Sequence, residues 1–213
     1  MLKVRPHKGH RAQRTGLWAK SKSTNLSRFN PYVVEMDQVF LKHDLLRRRR
    51  NLLITACPTH PRFIMPVSET DIRAELSRVP QEFLSGLNAV ILLGGSKKQE
   101  KTYRSLFKFG CYLLNVIFLC PYPKTAMRKR YKTLPKPSIL AEYERAGAQI
   151  RRSNNGCEIN FDETSLRTFY LRDVLIHELG HHVDRDNFKT KTKRRIESFA
   201  DWFASEYGYR LRI

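Results

Sequence analysis

His177, Glu178 and His181 are where this 213-residue chain first offers chemistry. They sit in Val174-Leu-Ile-His-Glu-Leu-Gly-His-His-Val-Asp184, an H-E-x-x-H pattern inside an apolar run. Residues four apart share one face of a helix, so His177 and His181 can present two imidazoles to one cation. Glu178 stands beside them, placed to take a proton from a water molecule there. Zn²⁺ is the cation such a set selects, and the chemistry is metal-assisted hydrolysis, most often of a peptide bond. No charge interrupts residues 174–176, 179–180 or 182–183. A buried helix requires that, because an unpaired charge is costly to desolvate. Glycine within a helix costs roughly 1 kcal/mol against alanine, so Gly180 predicts a close approach by another element.

A zinc site needs a third protein ligand. The next strong candidate downstream is Glu197, in Ile196-Glu-Ser-Phe-Ala-Asp-Trp-Phe-Ala204. Glu197 and Asp201 are again four apart, and Ala200 and Ala204 are small enough to let a second helix press on the first. Glu197 then completes the metal ligands. Asp201 accepts a hydrogen bond from the far nitrogen of a ligand histidine. The same spacing also occurs on solvated helix faces.

H-E-x-x-H followed by E-x-x-A-D on a second helix resembles the gluzincin metallopeptidases. With Glu158-Ile-Asn, Arg167 and Phe169 leading in and Ala200-Asp-Trp-Phe-Ala204 closing, about residues 156–207 are similar to the ImmA/IrrE-like branch. The resemblance implies a zincin-like α+β fold: a small mixed or antiparallel sheet, the H-E-x-x-H helix packed across it, and a following helix carrying the third ligand. It implies a zinc metallopeptidase that cuts a specific intracellular protein, DNA-bound repressors being typical targets of that branch. It also implies that the sheet edge beside the active helix takes substrate as an added strand, and the segment Cys157 to Phe161 is the expected edge. Tyr170, His182 and Tyr207 are candidates for an oxyanion donor. His182 lies about 100° around the helix from His181 and is expected to pack instead of binding metal.

The net charge of +20 is unevenly placed. Residues 1–50 carry 13 Lys/Arg against 3 Asp/Glu and residues 101–150 carry 10 against 2, whereas 51–100 balance at 5 against 5 and 151–213 hold 12 against 10. The motif-bearing part is therefore nearly neutral. Residues 1–34 hold eight basic residues and no acidic one, which describes a disordered basic arm. Arg47 to Arg50 and the stretch Lys124 to Lys136 are further basic clusters. Together they point to nucleic acid as a partner through phosphate contacts, chiefly by way of the N-terminal region. An alternative function follows: a nucleic-acid-binding protein built on an inactive zincin scaffold. The four cysteines lack any C-x-x-C spacing and fit neither a disulfide framework nor a zinc ribbon. No secretory signal is evident, and the run Cys111 to Cys120 is about half a bilayer span. A cytoplasmic protein without membrane contact is expected.

The elements that must carry these residues follow from pattern. Helices are predicted over 32–53, over 68–79 with Ser68 or Thr70 as cap, and over 138–145. A strand is predicted at 89–93, stopped by Gly94-Gly95, and a hairpin from 106–109 to 115–119. Strands at 149–152 and 157–161 flank the turn signal Asn154-Asn155-Gly156. A long helix starts near Asp162 or Thr164 and runs to about 186, then a basic loop leads to the last helix. Three regions are expected: the arm 1–34, a helical basic region 35–87, and a metallopeptidase domain 88–213.

Overall fold

The computed structural model describes residues 31–45, 51–102, 108–153, 156–187 and 192–211. Most of the basic arm and Arg47–Arg50 lie outside the described residues. Residues 31–34 open a helix, α1 (Pro31–His43). In chain order there follow β1 (Leu53–Ala56), β2 (Phe63–Ile64), α2 (Glu69–Leu76), β3 (Ala89–Leu92), α3 (Lys97–Thr102), β4 (Gly110–Leu113), β5 (Val116–Leu119), β6 (Tyr122–Pro123) and β7 (Arg128–Tyr131). The second half contains α4 (Pro137–Arg145), β8 (Gln149–Ser153), β9 (Gly156–Asn160), α5 (Glu163–Thr168), α6 (Ile176–Val183) and α7 (Lys193–Ser205). The architecture is mixed α+β.

A four-stranded sheet in the order β1-β3-β5-β4 is parallel except for β4. Both β3 and β5 are buried at every residue, as strands covered on two faces must be. On one face Met36, Val39 and Phe40 of α1 meet Ile91, Val116 and Phe118. On the other, Val90, Leu92, Ile117 and Leu119 share a core with Ile72 and Leu76 of α2 and with Leu175 and Leu179 on the H-E-x-x-H helix side. The β4–β5 hairpin turns through Leu114 and Asn115, with φ of 50° and 63°. That left-handed pair matches the twist of the flanking strands. A separate antiparallel sheet has the order β7-β9-β8.

Several expectations are corrected here. Leu53 to Ala56 is a strand and not a helix end, because its residues complete the parallel sheet against β3. The region 35–87 is therefore not purely helical, and it shares one core with 88–213: Phe83 packs edge-on against Phe203 at 5.2 Å. Arg128 to Tyr131, within the basic cluster Lys124 to Lys136 where no strand is predicted, is a strand paired with β9. The strand at 156–160 is consequently central in its sheet, with β7 and β8 on either side, and offers no edge to a substrate. The helix predicted from 162 to 186 forms, but in pieces: α5, a π-helical stretch over Phe169–Leu175, α6, and a 3₁₀ turn at Arg185–Asn187. Its start is capped by Asp162, whose carboxylate accepts from the Ser165 N–H. The predicted Ser68 cap is present too, exchanging hydrogen bonds with Asp71.

Candidate metal centre

Two close approaches set the geometry of the site. A Cβ on Gly180 would stand 3.0 Å from Ala200 Cα and 3.1 Å from Phe203 Cβ. The bare backbone of α6 thus lets α7 lie directly against it, which answers the question that glycine posed in the sequence. A Cβ on Gly110 would stand 2.9 Å from Val174 Cγ1 and 3.0 Å from Glu178 Oε1, so β4 runs equally close to the H-E-x-x-H helix on its other side. Between β4, α4, α6 and α7 lies a cavity of about 790 Å³, with Gly110, Glu142, His177, Glu178, His181 and Glu197 among its lining residues.

His177, His181 and Glu197 each offer one ligand atom, and these atoms lie within 4.8 Å of one another. Glu197 Oε2 is 3.6 Å from His177 Nε2 and 3.7 Å from His181 Nε2. Asp201 Oδ1 is 3.0 Å from His177 Nδ1. A carboxylate can only accept, so in the neutral ring Nδ1 carries the proton and Nε2 is the nitrogen that faces Glu197 and His181. Two imidazole nitrogens and one carboxylate, converging within 4.8 Å, are a donor set that would suit Zn²⁺.

Electrostatics sort the ionisable groups of the cleft. Burial pushes the Glu178 carboxyl up to about 7, against the pull of His177 and of the Tyr112 backbone N–H that donates to it. Burial disfavours charge on His177, but the Asp201 hydrogen bond and the negative charges of Glu178, Asp201 and Glu197 prevail and raise its pKa. His181 is lowered by burial and by His177. Glu142, on the α4 wall, is raised to about 7 by burial and by the neighbouring charges of Asp201 and Asp173. Asp173 is held by Arg145 and by the Tyr209 hydroxyl, a network that fastens α4 and the C-terminal segment to the π-helical stretch leading into α6.

All five residues singled out from the sequence meet in one place: His177, Glu178, His181, Glu197 and Asp201 line the same cavity. The proposed oxyanion donors do not. The Tyr170 hydroxyl donates to the Cys120 carbonyl, Tyr207 packs on Phe83 and Phe203, and none of the three candidates lines the cavity. His182 is buried, with Nε2 3.0 Å from the Ser85 carbonyl and Nδ1 3.1 Å from the Tyr112 hydroxyl. Burial depresses its pKa to about 4, so it is a neutral packing residue. Sequence reasoning missed Gly110 and Glu142. A lone glycine opening an apolar strand was the available signal for the first, and nothing local marks the second. All four cysteines are free, and Cys111 also lines the cavity. Among the described residues no helix is long and apolar enough to cross a membrane. No protein family, curated protein or solved structure matches this chain.

Proposed function

We propose that this protein is a zinc-dependent metallopeptidase of gluzincin type, nearest in its motifs to the ImmA/IrrE-like branch, acting on a specific intracellular protein. The observation that supports the reading is the convergence of His177, His181 and Glu197 within 4.8 Å beside a buried carboxylate, Glu178, on the wall of one cavity. His177, His181 and Glu197 would hold the ion. When bound, Zn²⁺ supplies a Lewis acid that polarises a carbonyl and acidifies water. Glu178, poised near neutrality by burial, accepts a proton from water and returns it to the leaving amine. Asp201 keeps the His177 ring in one tautomer and one orientation.

The substrate strand is assigned to β4. The Cys120 N–H donates to the Phe109 carbonyl at 2.8 Å, so by strict alternation Cys111 and Leu113 also turn inward to β5. Gly110 and Tyr112 then turn their backbone groups outward at the sheet edge. Tyr112 uses its N–H on Glu178, and Gly110 stands over the cavity with a backbone edge for an extended peptide.

The experiment is zinc per chain by elemental analysis, wild type beside Glu197→Ala. About one zinc in the wild type, lost or much weakened in the variant, is expected. No zinc in metal-replete wild type would overturn the reading.

A further inference from the structure

The basic stretch Lys124 to Lys136 plays no part in the metal centre, and the structure folds its middle into β7. We propose that the outward face of the β7-β9-β8 sheet is a docking surface for the phosphate backbone of nucleic acid, with Arg128, Arg130 and Arg151 as the contact residues. The proposal does not rest on the metallopeptidase reading, since no residue of these three strands lines the cavity.

Strand alternation decides which side chains share that face. Cys157 and Ile159 of β9 are buried in the core, so their neighbours Glu158 and Asn160 face the other way. Arg130, Glu158 and Arg151 stand directly across the three strands from one another, and Arg128 stands across from Asn160 and Gln149. Along β7 the two arginines repeat at about 6.7 Å, and β7 and β8 are about 9.6 Å apart, two strand spacings. The result is a two-dimensional cationic array on a rigid element. The side chains of Arg128 and Arg130 are 64% and 80% exposed, and among the described residues no element covers them.

What separates this face from an ordinary solvated one is the way Glu158 is used. Its Oε1 takes Arg128 Nε and its Oε2 takes Arg130 Nε, each at 2.9 Å. The contact of each guanidinium with Glu158 is made through Nε, and both side chains remain largely exposed. Exposed ion pairs add little to stability. Here the pairs orient two arginine forks side by side, and a pre-oriented fork loses less freedom when it takes a phosphate oxygen pair. Charged edge strands also discourage edge-to-edge pairing. That purpose is served by either sign on the strand edge and asks for no array across the face. Among the described residues, no side chain that strand alternation places on the outward face is aromatic, so the contact is to backbone and independent of sequence.

The test titrates the full-length chain onto a short fluorescein-labelled DNA duplex by anisotropy across a salt series. Arg128→Gln/Arg130→Gln/Arg151→Gln should weaken binding by roughly tenfold or more at low salt. It should also lower the salt slope by about 3, because each phosphate contact on a duplex contributes about 0.9. Lys42→Gln/Arg73→Gln/Lys97→Gln removes the same charge from other exposed positions and should leave the slope near wild type. Should the first triple variant misfold, Arg151→Gln, which breaks no ion pair among the described residues, should still lower the slope by about 1. An unchanged slope, or equal losses in both triple variants, overturns the proposal. So does arginine-dependent capture of phosphatidylserine vesicles while DNA binding stays at the wild-type level.

Discussion

Asp201→Ala should weaken zinc binding about tenfold, and the magnitude follows from where the carboxylate sits. Its Oδ1 accepts from His177 Nδ1 at 3.0 Å, which places the neutral ring's proton on Nδ1 and leaves Nε2 facing Glu197. Removing an outer partner of a metal-ligating histidine costs about 10- to 100-fold in affinity. The Asp201 side chain is 58% exposed, so water can take over as acceptor and solvent screens the lost charge. The low end of that range applies, about 1.4 kcal/mol. Asp201→Asn keeps an acceptor oxygen and should recover part of the loss. Glu197→Ala removes a ligand outright and should cost more than either. Competition against a chromophoric chelator at fixed pH measures all three variants without needing a substrate, and circular dichroism confirms that each has folded. Wild-type affinity in Asp201→Ala would refute the orienting role. A larger loss there than in Glu197→Ala would make Asp201 the ligand.

Two further outcomes follow from the same geometry. On a peptide the wild type cleaves, Glu178→Gln should lower kcat by roughly 10²- to 10⁴-fold, the usual worth of a positioned acid–base group, while elemental analysis finds zinc retained. Asp71 pairs with Arg167 and accepts from the Ser68 N–H at the start of α2, which together hold its carboxyl below the usual aspartate value of 3.8. A depressed folded pKa means this stabilisation is fully present above that value and is lost as pH falls through the folded pKa. Asp71→Asn should therefore flatten the acid limb of the denaturation midpoint below about pH 4 and leave its slope at neutral pH unchanged; an acid limb identical to wild type would refute it.

The site was more legible in the sequence than the sheets were, for a physical reason. Metal-ligand spacing on a helix is local: His177 and His181 share a face whatever surrounds them. The approach of α7 was also written locally, as a glycine at 180 that an isolated helix would not favour and alanines at 200 and 204 that permit contact. Strand pairing is not local. Arg-Lys-Arg-Tyr at 128–131 has the composition of a solvated loop, and only its ladder with β9, some thirty residues on, makes it a strand. That one omission also misplaced the sheet edge. With β7 unseen, β9 lay beside β8 alone and looked open on its other side. Leu53 to Ala56 was lost similarly, since its partner β3 is more than thirty residues downstream.

The same contrast bears on which parts of the cleft a substitution can change independently. Glu197 reaches the histidines only because α7 lies on Gly180, and Phe203, 1% exposed, is packed into that junction against Phe83 and Tyr207. Ligand geometry is therefore coupled to core packing through α7. The edge strand is coupled to the active helix through different atoms, the Gly110 backbone and the Tyr112 N–H on Glu178. Loosening the α6–α7 junction acts first on the convergence of Glu197 with His177 and His181 and leaves the Gly110 edge in place. Shifting β4 acts first on Glu178 and leaves the His177–Asp201 contact in place. Under the proposed function, a cleft built this way divides ion binding and proton transfer between two packing contacts on opposite sides of one helix.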